Sequence, residues 1–91
     1  MSIEVRIPTI LRQHTAGAKV VTGEGNNLDD LLSDLDTNHS GLRGRIVTGE
    51  GNLHKFVNVY VNDEDVRFTG GLKTELSDGD SVTILPAVAG G

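Results

Sequence analysis

Asn27-Leu28-Asp29-Asp30-Leu31-Leu32-Ser33-Asp34-Leu35-Asp36 is the stretch on which the fold turns. Leu28, Leu31, Leu32 and Leu35 fall at i, i+3, i+4 and i+7, so a helix places all four on one stripe. Asn27 is an N-cap residue, and Asp29 and Asp30 occupy the first turn, where the helix dipole favours negative charge. Asn38 to Gly41 supplies the stop, with Gly41 as a left-handed cap. A leucine stripe of this kind faces a core, so the helix needs an apolar surface to lie on.

The flanking sequence supplies that surface as strands. Upstream, Ile3, Val5 and Ile7 alternate with Ser2, Glu4 and Arg6, the period of a strand with one buried face. Pro8 belongs at the end of that strand or on an edge. Ala18-Lys19-Val20-Val21-Thr22 predicts a second strand, making a hairpin of residues 2–22, and Gly23-Glu24-Gly25-Asn26-Asn27 ends it. Downstream, Phe56-Val57-Asn58-Val59-Tyr60-Val61-Asn62 is a strand with three valines on one face. Asn62-Asp63-Glu64-Asp65 is a turn, and Val66-Arg67-Phe68 predicts a short returning strand. Gly70-Gly71 bends the chain, Leu72 and Leu76 suggest one helical turn, and Asp78-Gly79-Asp80 turns into a final strand, Ser81-Val82-Thr83-Ile84-Leu85. One amphipathic helix among strands in the order β-β-α-β-β-β is an α+β roll with a mixed sheet.

Residues 42–55 carry no clear period. Within them, Val47-Thr48-Gly49-Glu50-Gly51-Asn52 repeats Val21-Thr22-Gly23-Glu24-Gly25-Asn26, but nothing around the two copies repeats. They read as two Gly-rich loops, not as a solenoid. Neither is a phosphate loop: the Lys-Ser/Thr pair is missing, and Glu24 and Glu50 would repel the ligand.

Composition narrows the function. The 91 residues make one domain, whose core must come from Val, Leu and Ile because Tyr60, Phe56 and Phe68 are the only aromatics. Thirteen acids against eight Lys plus Arg give a net charge of −5, which disfavours nucleic acid and favours a partner with a basic groove. The absence of Cys excludes disulfides, a thiol nucleophile and thiolate metal sites. His14, His39 and His54 are scattered without ligand spacing, and Asp63, Glu64 and Asp65 lack the spacing and Gly of a calcium loop, so no metal site is predicted. No nucleophile motif surrounds any Ser or Thr, and no catalytic constellation is expected within the chain. The first residues do not form a signal peptide and no apolar run is long enough for a membrane span, so the chain reads as soluble and cytoplasmic.

The sequence closes on Pro86-Ala87-Val88-Ala89-Gly90-Gly91. Pro86 lacks a ladder donor, so regular pairing is expected to end near it, dividing a domain at residues 1–86 from a mobile tail at 87–91. The tail has almost no bulk, and glycine lets backbone approach a catalytic wall closely. It fits either a terminus that is itself a substrate, with the Gly91 carboxylate as reacting group, or a plain chain end, where small residues gather anyway.

Leu76-Ser77-Asp78-Gly79-Asp80-Ser81-Val82 and Leu85-Pro86-Ala87-Val88-Ala89-Gly90-Gly91 resemble the end of the ThiS/MoaD sulfur-carrier family. Residues 7–12, Ile7-Pro8-Thr9-Ile10-Leu11-Arg12, and residues 56–68 resemble the CysO-type carriers of cysteine biosynthesis within it. The resemblance spans nearly the whole chain, with residues 42–53 showing no family pattern. It implies a ubiquitin-like β-grasp, in which the first and last strands are central neighbours. It also implies that an E1-like enzyme adenylates the Gly91 carboxylate and converts it to a thiocarboxylate. Pro86, Ala87, Val88, Ala89 and Gly90 would form the tail threaded into partner active sites. The implied partners are that activating enzyme, a pyridoxal-phosphate cysteine synthase and a zinc-dependent peptidase that releases cysteine. The chain itself would be a protein co-substrate with no bound cofactor, since ATP, pyridoxal phosphate and zinc would belong to those partners. Two alternatives stay open: sulfur delivery for molybdopterin or thiamin thiazole, and a ubiquitin-like modifier or binding module that never carries sulfur.

Overall fold

A computed structural model describes residues 2–86. One five-stranded sheet has the order β2-β1-β5-β3-β4, with β1 at Ser2–Arg6, β2 at Val20–Glu24, β3 at Val57–Val61, β4 at Glu64–Asp65 and β5 at Ser81–Pro86. β1 is antiparallel to β2 and parallel to β5, and β3 is antiparallel to both β5 and β4. First and last strands therefore lie side by side, as the β-grasp reading requires.

Helix α1 (Leu28–Asn38) lies on one face of this sheet, and the short helix α2 (Leu42–Ile46) follows it. Leu28, Leu31, Leu32 and Leu35 are fully buried against Ile3, Val5, Val21, Val59, Val82 and Ile84 from the strands. Each such side chain contributes about 1.5–3 kcal/mol by leaving water. The Asn27 side chain accepts from the Asp30 N–H at 2.8 Å, the predicted cap. The Leu28 N–H, which has no partner inside the helix, donates to the Thr74 carbonyl at 3.0 Å, so the loop before β5 closes the helix start. α1 stops at Asn38 with His39 as its C-cap, so Gly41, left-handed with φ of 89°, precedes α2 as its N-cap and is not the cap of α1 that the sequence suggested.

Four further details depart from the sequence reading. The hairpin's second strand is Val20–Glu24, so Gly23 lies inside it and does not end it. Its connection to β1 contains a turn of 3-10 helix at Thr9–Thr15, which buries Leu11. Val66–Phe68 is also a 3-10 turn, not a strand: the Asp65 side chain accepts from the Arg67 N–H at 2.9 Å, and only Val66 of the three is buried. In residues 42–55, α2 adds Leu42 and Ile46 to the core before the chain turns.

The duplicated hexapeptide takes two conformations. In the first copy the strand runs to Glu24, whose N–H donates to Asp34 Oδ2 on α1 at 2.9 Å, and the helix crosses directly over the glycines. A Cβ on Gly25 would stand 2.5 Å from the Leu31 backbone nitrogen and 2.9 Å from its Cα. One on Gly23 would meet side-chain ends and no backbone: the methyls of Leu31 and Leu35, each at 2.9 Å, and Asp34 Oδ2 at 3.3 Å. The second copy folds on itself: Thr48 N–H donates to the Asn52 carbonyl at 2.7 Å, and Val47 bridges Leu53. There a Cβ on Gly49 meets nothing within 4 Å.

Asp80 secures the turn into β5. Its carboxylate accepts from the Ser77 N–H at 2.8 Å and from Asn62 Nδ2 at 3.0 Å. Those bonds, the Ser77 one foremost, hold its pKa below the ordinary value against a small opposing effect of burial.

Gly25→Ala should cost about 1–3 kcal/mol, because rigid helix backbone must move, whereas Gly49→Ala should stay within about 0.5 kcal/mol of the parent. Chemical denaturation of the two variants checks this, and equal losses would contradict the close approach. The lowered pKa of Asp80 means that its contribution is complete above its unfolded-state pKa and disappears as pH falls through the folded one. Asp80→Asn should therefore melt below the parent at neutral pH, with the gap narrowing below about pH 4. Melting curves between neutral pH and pH 2 test it; a gap independent of pH would assign the effect to something other than ionisation.

Candidate functional site

β5 is the middle strand of the five, and it is described through Pro86, the first of the tail residues singled out in the sequence. Ala87, Val88, Ala89, Gly90 and Gly91 lie outside the described residues. The geometry at hand is thus that of the tail's root.

Pro86 sits opposite Val57 at the end of the β3–β5 ladder. Asn62 N–H donates to the Ser81 carbonyl at 2.8 Å at the other end of that ladder. Bonded and non-bonded pairs alternate along an antiparallel ladder, which puts Val57 and Pro86 in a non-bonded pair. The missing N–H of proline therefore breaks no bond to β3. On the other flank, β1 pairs with β5 only as far as Arg6 opposite Thr83, so residues 84–86 run past it. The root is held from one side by β3, while Val82 and Ile84 anchor the strand in the core.

Val57 needs partners for its outward polar groups, and it has them. Its N–H donates to the His54 carbonyl at 3.1 Å, and its carbonyl accepts from Arg67 Nη2 at 3.2 Å. Arg67 is further oriented by Asp65, 3.8 Å away, a long pair with its arginine end in solvent that adds little by itself. Sequence reasoning missed both Val57 and Arg67 as supports of the root. Nothing in a lone arginine after a turn marks it as a brace for a strand in another part of the chain. The three histidines stay on separate segments, and among the described residues no group of three or more His, Asp or Glu is arranged to hold a metal ion.

Residues 5–91 match the model of the ThiS family. The chain belongs to the ThiS family. Within reach of this ThiS chain is the sulfur carrier protein CysO of Mycobacterium tuberculosis, 59% identical over 93 residues that cover all of both proteins. The crystal structure of that CysO superposes with a TM-score of 0.92 at 58% identity, covering 94% of this chain and 99% of the other. The CysO of an Amycolatopsis orientalis BexX/CysO complex gives a TM-score of 0.91 at 55% identity, covering 98% and 99%. Small archaeal modifier protein 3 of Haloferax volcanii is 33% identical over 94 residues, again all of both chains. The ubiquitin-like β-grasp expected from the sequence is the fold these structures share with this ThiS chain.

Arg67→Ala should lower stability by about 0.5–1.5 kcal/mol through loss of the bond to the Val57 carbonyl. It should also speed amide exchange at Leu85, beside the root. A melt and exchange profile identical to the parent would show that Arg67 braces nothing.

Proposed function

We infer that this chain is a CysO-type sulfur carrier that supplies sulfur for cysteine biosynthesis, acting as a co-substrate and not as an enzyme. The observation that carries this reading is full-length identity of 59% to a sulfur carrier protein named CysO, on the same fold. The rooting of the tail on a central, well-anchored strand supports it physically: a fixed roll presents a slim terminus to other active sites.

In this reading Gly91 is the reacting residue, and residues 86–90 are the part a partner must accommodate. A free α-carboxylate, with a pKa of about 3.3–3.7, is ionised at neutral pH and is a poor acyl donor. An E1-like enzyme joins it to the AMP portion of ATP, releasing pyrophosphate. Sulfur then forms a bond to the same carbonyl carbon as the bond to AMP breaks, leaving a thiocarboxylate. The thiocarboxylate sulfur next forms a carbon–sulfur bond to a serine-derived acceptor on a pyridoxal-phosphate cysteine synthase. The carrier's acyl group moves from that sulfur to the adjacent amine, giving an amide. A zinc-dependent peptidase hydrolyses the amide, releasing cysteine and restoring the Gly91 carboxylate. The A. orientalis complex, in which a CysO is bound to BexX, favours the view that this chain too works by docking onto partner enzymes. Pyridoxal phosphate, zinc and ATP reside on those partners.

The test is intact mass after incubation with the activating enzyme, ATP and a sulfur source. The chain should gain the mass difference between sulfur and oxygen, then become one cysteinyl residue heavier when the cysteine synthase and activated serine are added. A variant with one residue appended after Gly91 should fold normally and gain nothing. Sulfur acquisition by the appended variant, or consumption of the thiocarboxylate only by a molybdopterin synthase, would overturn the reading.

A further inference from the structure

The net charge of −5 suggests a basic partner groove, but the fold distributes that charge unevenly. Asp78 and Asp80 precede β5, Asp63 and Glu64 occupy the β3–β4 turn beside it, and Glu24 lies opposite Ser2 at the start of β1. Asp78 accepts from the Ser2 N–H at 2.9 Å, and Asp80 is bonded to Asn62, so these acids gather where β5 begins. β5 then runs the length of the sheet away from them to Pro86.

The end at which Pro86 emerges is cationic. β1 stops at Arg6, which lines a groove with Asn62 and Asp63 toward the acids, and just beyond it the Lys19 carbonyl accepts from the Ile7 N–H at 2.8 Å. Lys55 lies two residues before Val57, the partner of Pro86, with its Nζ 5.1 Å from the Phe56 ring centre. Arg45 of α2 lines a groove of about 420 Å³ together with Ile10, Phe56 and Val57. Lys19, Arg45 and Lys55 are exposed, and none has a carboxylate within 4.0 Å among the described residues. The apolar centre of this face is exposed as well: Ile10 is 61% and Phe56 63% accessible. These three cations come from three separate segments, so only the folded chain brings them together.

We propose that this end is the docking face for the activating enzyme, and that the enzyme's surface around the mouth taking the tail carries carboxylates about an apolar contact for Ile10 and Phe56. The proposal rests on the carrier reading. Five residues follow Pro86, and five residues span at most about 16–18 Å when fully extended. An enzyme that reacts with Gly91 must therefore come close to the surface around the root. There it meets Lys19, Arg45 and Lys55, not the acids at the opposite end. A basic mouth would be repelled at the point of contact, whatever the chain's net charge. An acidic one is steered into the orientation that presents the tail first.

The experiment measures association rates of the full chain with its activating enzyme at low and high salt, comparing the parent with Arg45→Glu, Lys55→Glu, Lys19→Glu, Asp63→Lys and Glu64→Lys. Each reversal at the tail end should slow association about fivefold or more at low salt, with the deficit shrinking as salt screens it. The two reversals at the far end should leave the rate within about twofold, as expected for charges remote from the contact. All five positions are exposed, and a matching thermal melt confirms folding of each; a reversal that fails this check is replaced by the neutral Gln variant at the same position. Tail-end variants that associate like the parent, or far-end variants slowed equally, overturn the proposal. The carrier reading fails separately: it falls if the parent docks with this charge pattern yet never gains sulfur, and it stands if sulfur is gained without any charge dependence.

Discussion

The parallel pairing of β1 with β5 is the constraint on which the rest of the structure depends. Glu4, Val5 and Arg6 face Ser81, Val82 and Thr83, and this seam places both strands at the centre of the sheet. Val5 and Val82, paired across it, are fully buried beneath the α1 leucines. The same seam separates the two ends of β5, with Asp80 and its bonds at one and the tail's root at the other. Without it β5 would be an edge strand, paired with β3 alone.

Much of this was legible in the sequence because it rested on local period. Four leucines spaced for one helical face and an asparagine before them define α1 without tertiary help, and alternating valines define β3. The misread segments are those where a distant contact decides. Gly23 looks like a strand breaker, yet it lies inside β2 because α1 passes closely over that strand. Val66-Arg67-Phe68 alternates like a strand, but Phe68 is 85% exposed and the Asp65 side chain winds the segment into a turn. α2 is five residues with two arginines and a glycine, too short for a period, and it forms because Leu42 and Ile46 complete the core. The identical hexapeptides make the same point within one molecule: their surroundings, not their residues, select strand or closed turn.

The candidate site divides in the same way. The family was legible through resemblance, since the residues from Leu76 to Val82 and the terminal glycine pair form a short, recognisable motif. Its setting was not. Arg67 finds the Val57 carbonyl, and Lys19, Arg45 and Lys55 come to the same end, only after the sheet has assembled. A summed charge read from composition points the opposite way from the local charge at the root.

The central position of β5 also governs when this protein comes into being. Ser2 and Asp78, 76 residues apart, are hydrogen-bonded across the completed roll, and the strand after Asp78 belongs in the middle of the sheet. Until β5 has been synthesised, β1 and β3 each lack a neighbour, and the α1 leucines lie over a gap. Contacts this remote in sequence make for slow folding, because a long loop must close before they form. A chain cut short before β5 has no finished sheet, so the fold is complete only when nearly all of the sequence up to Pro86 has been made.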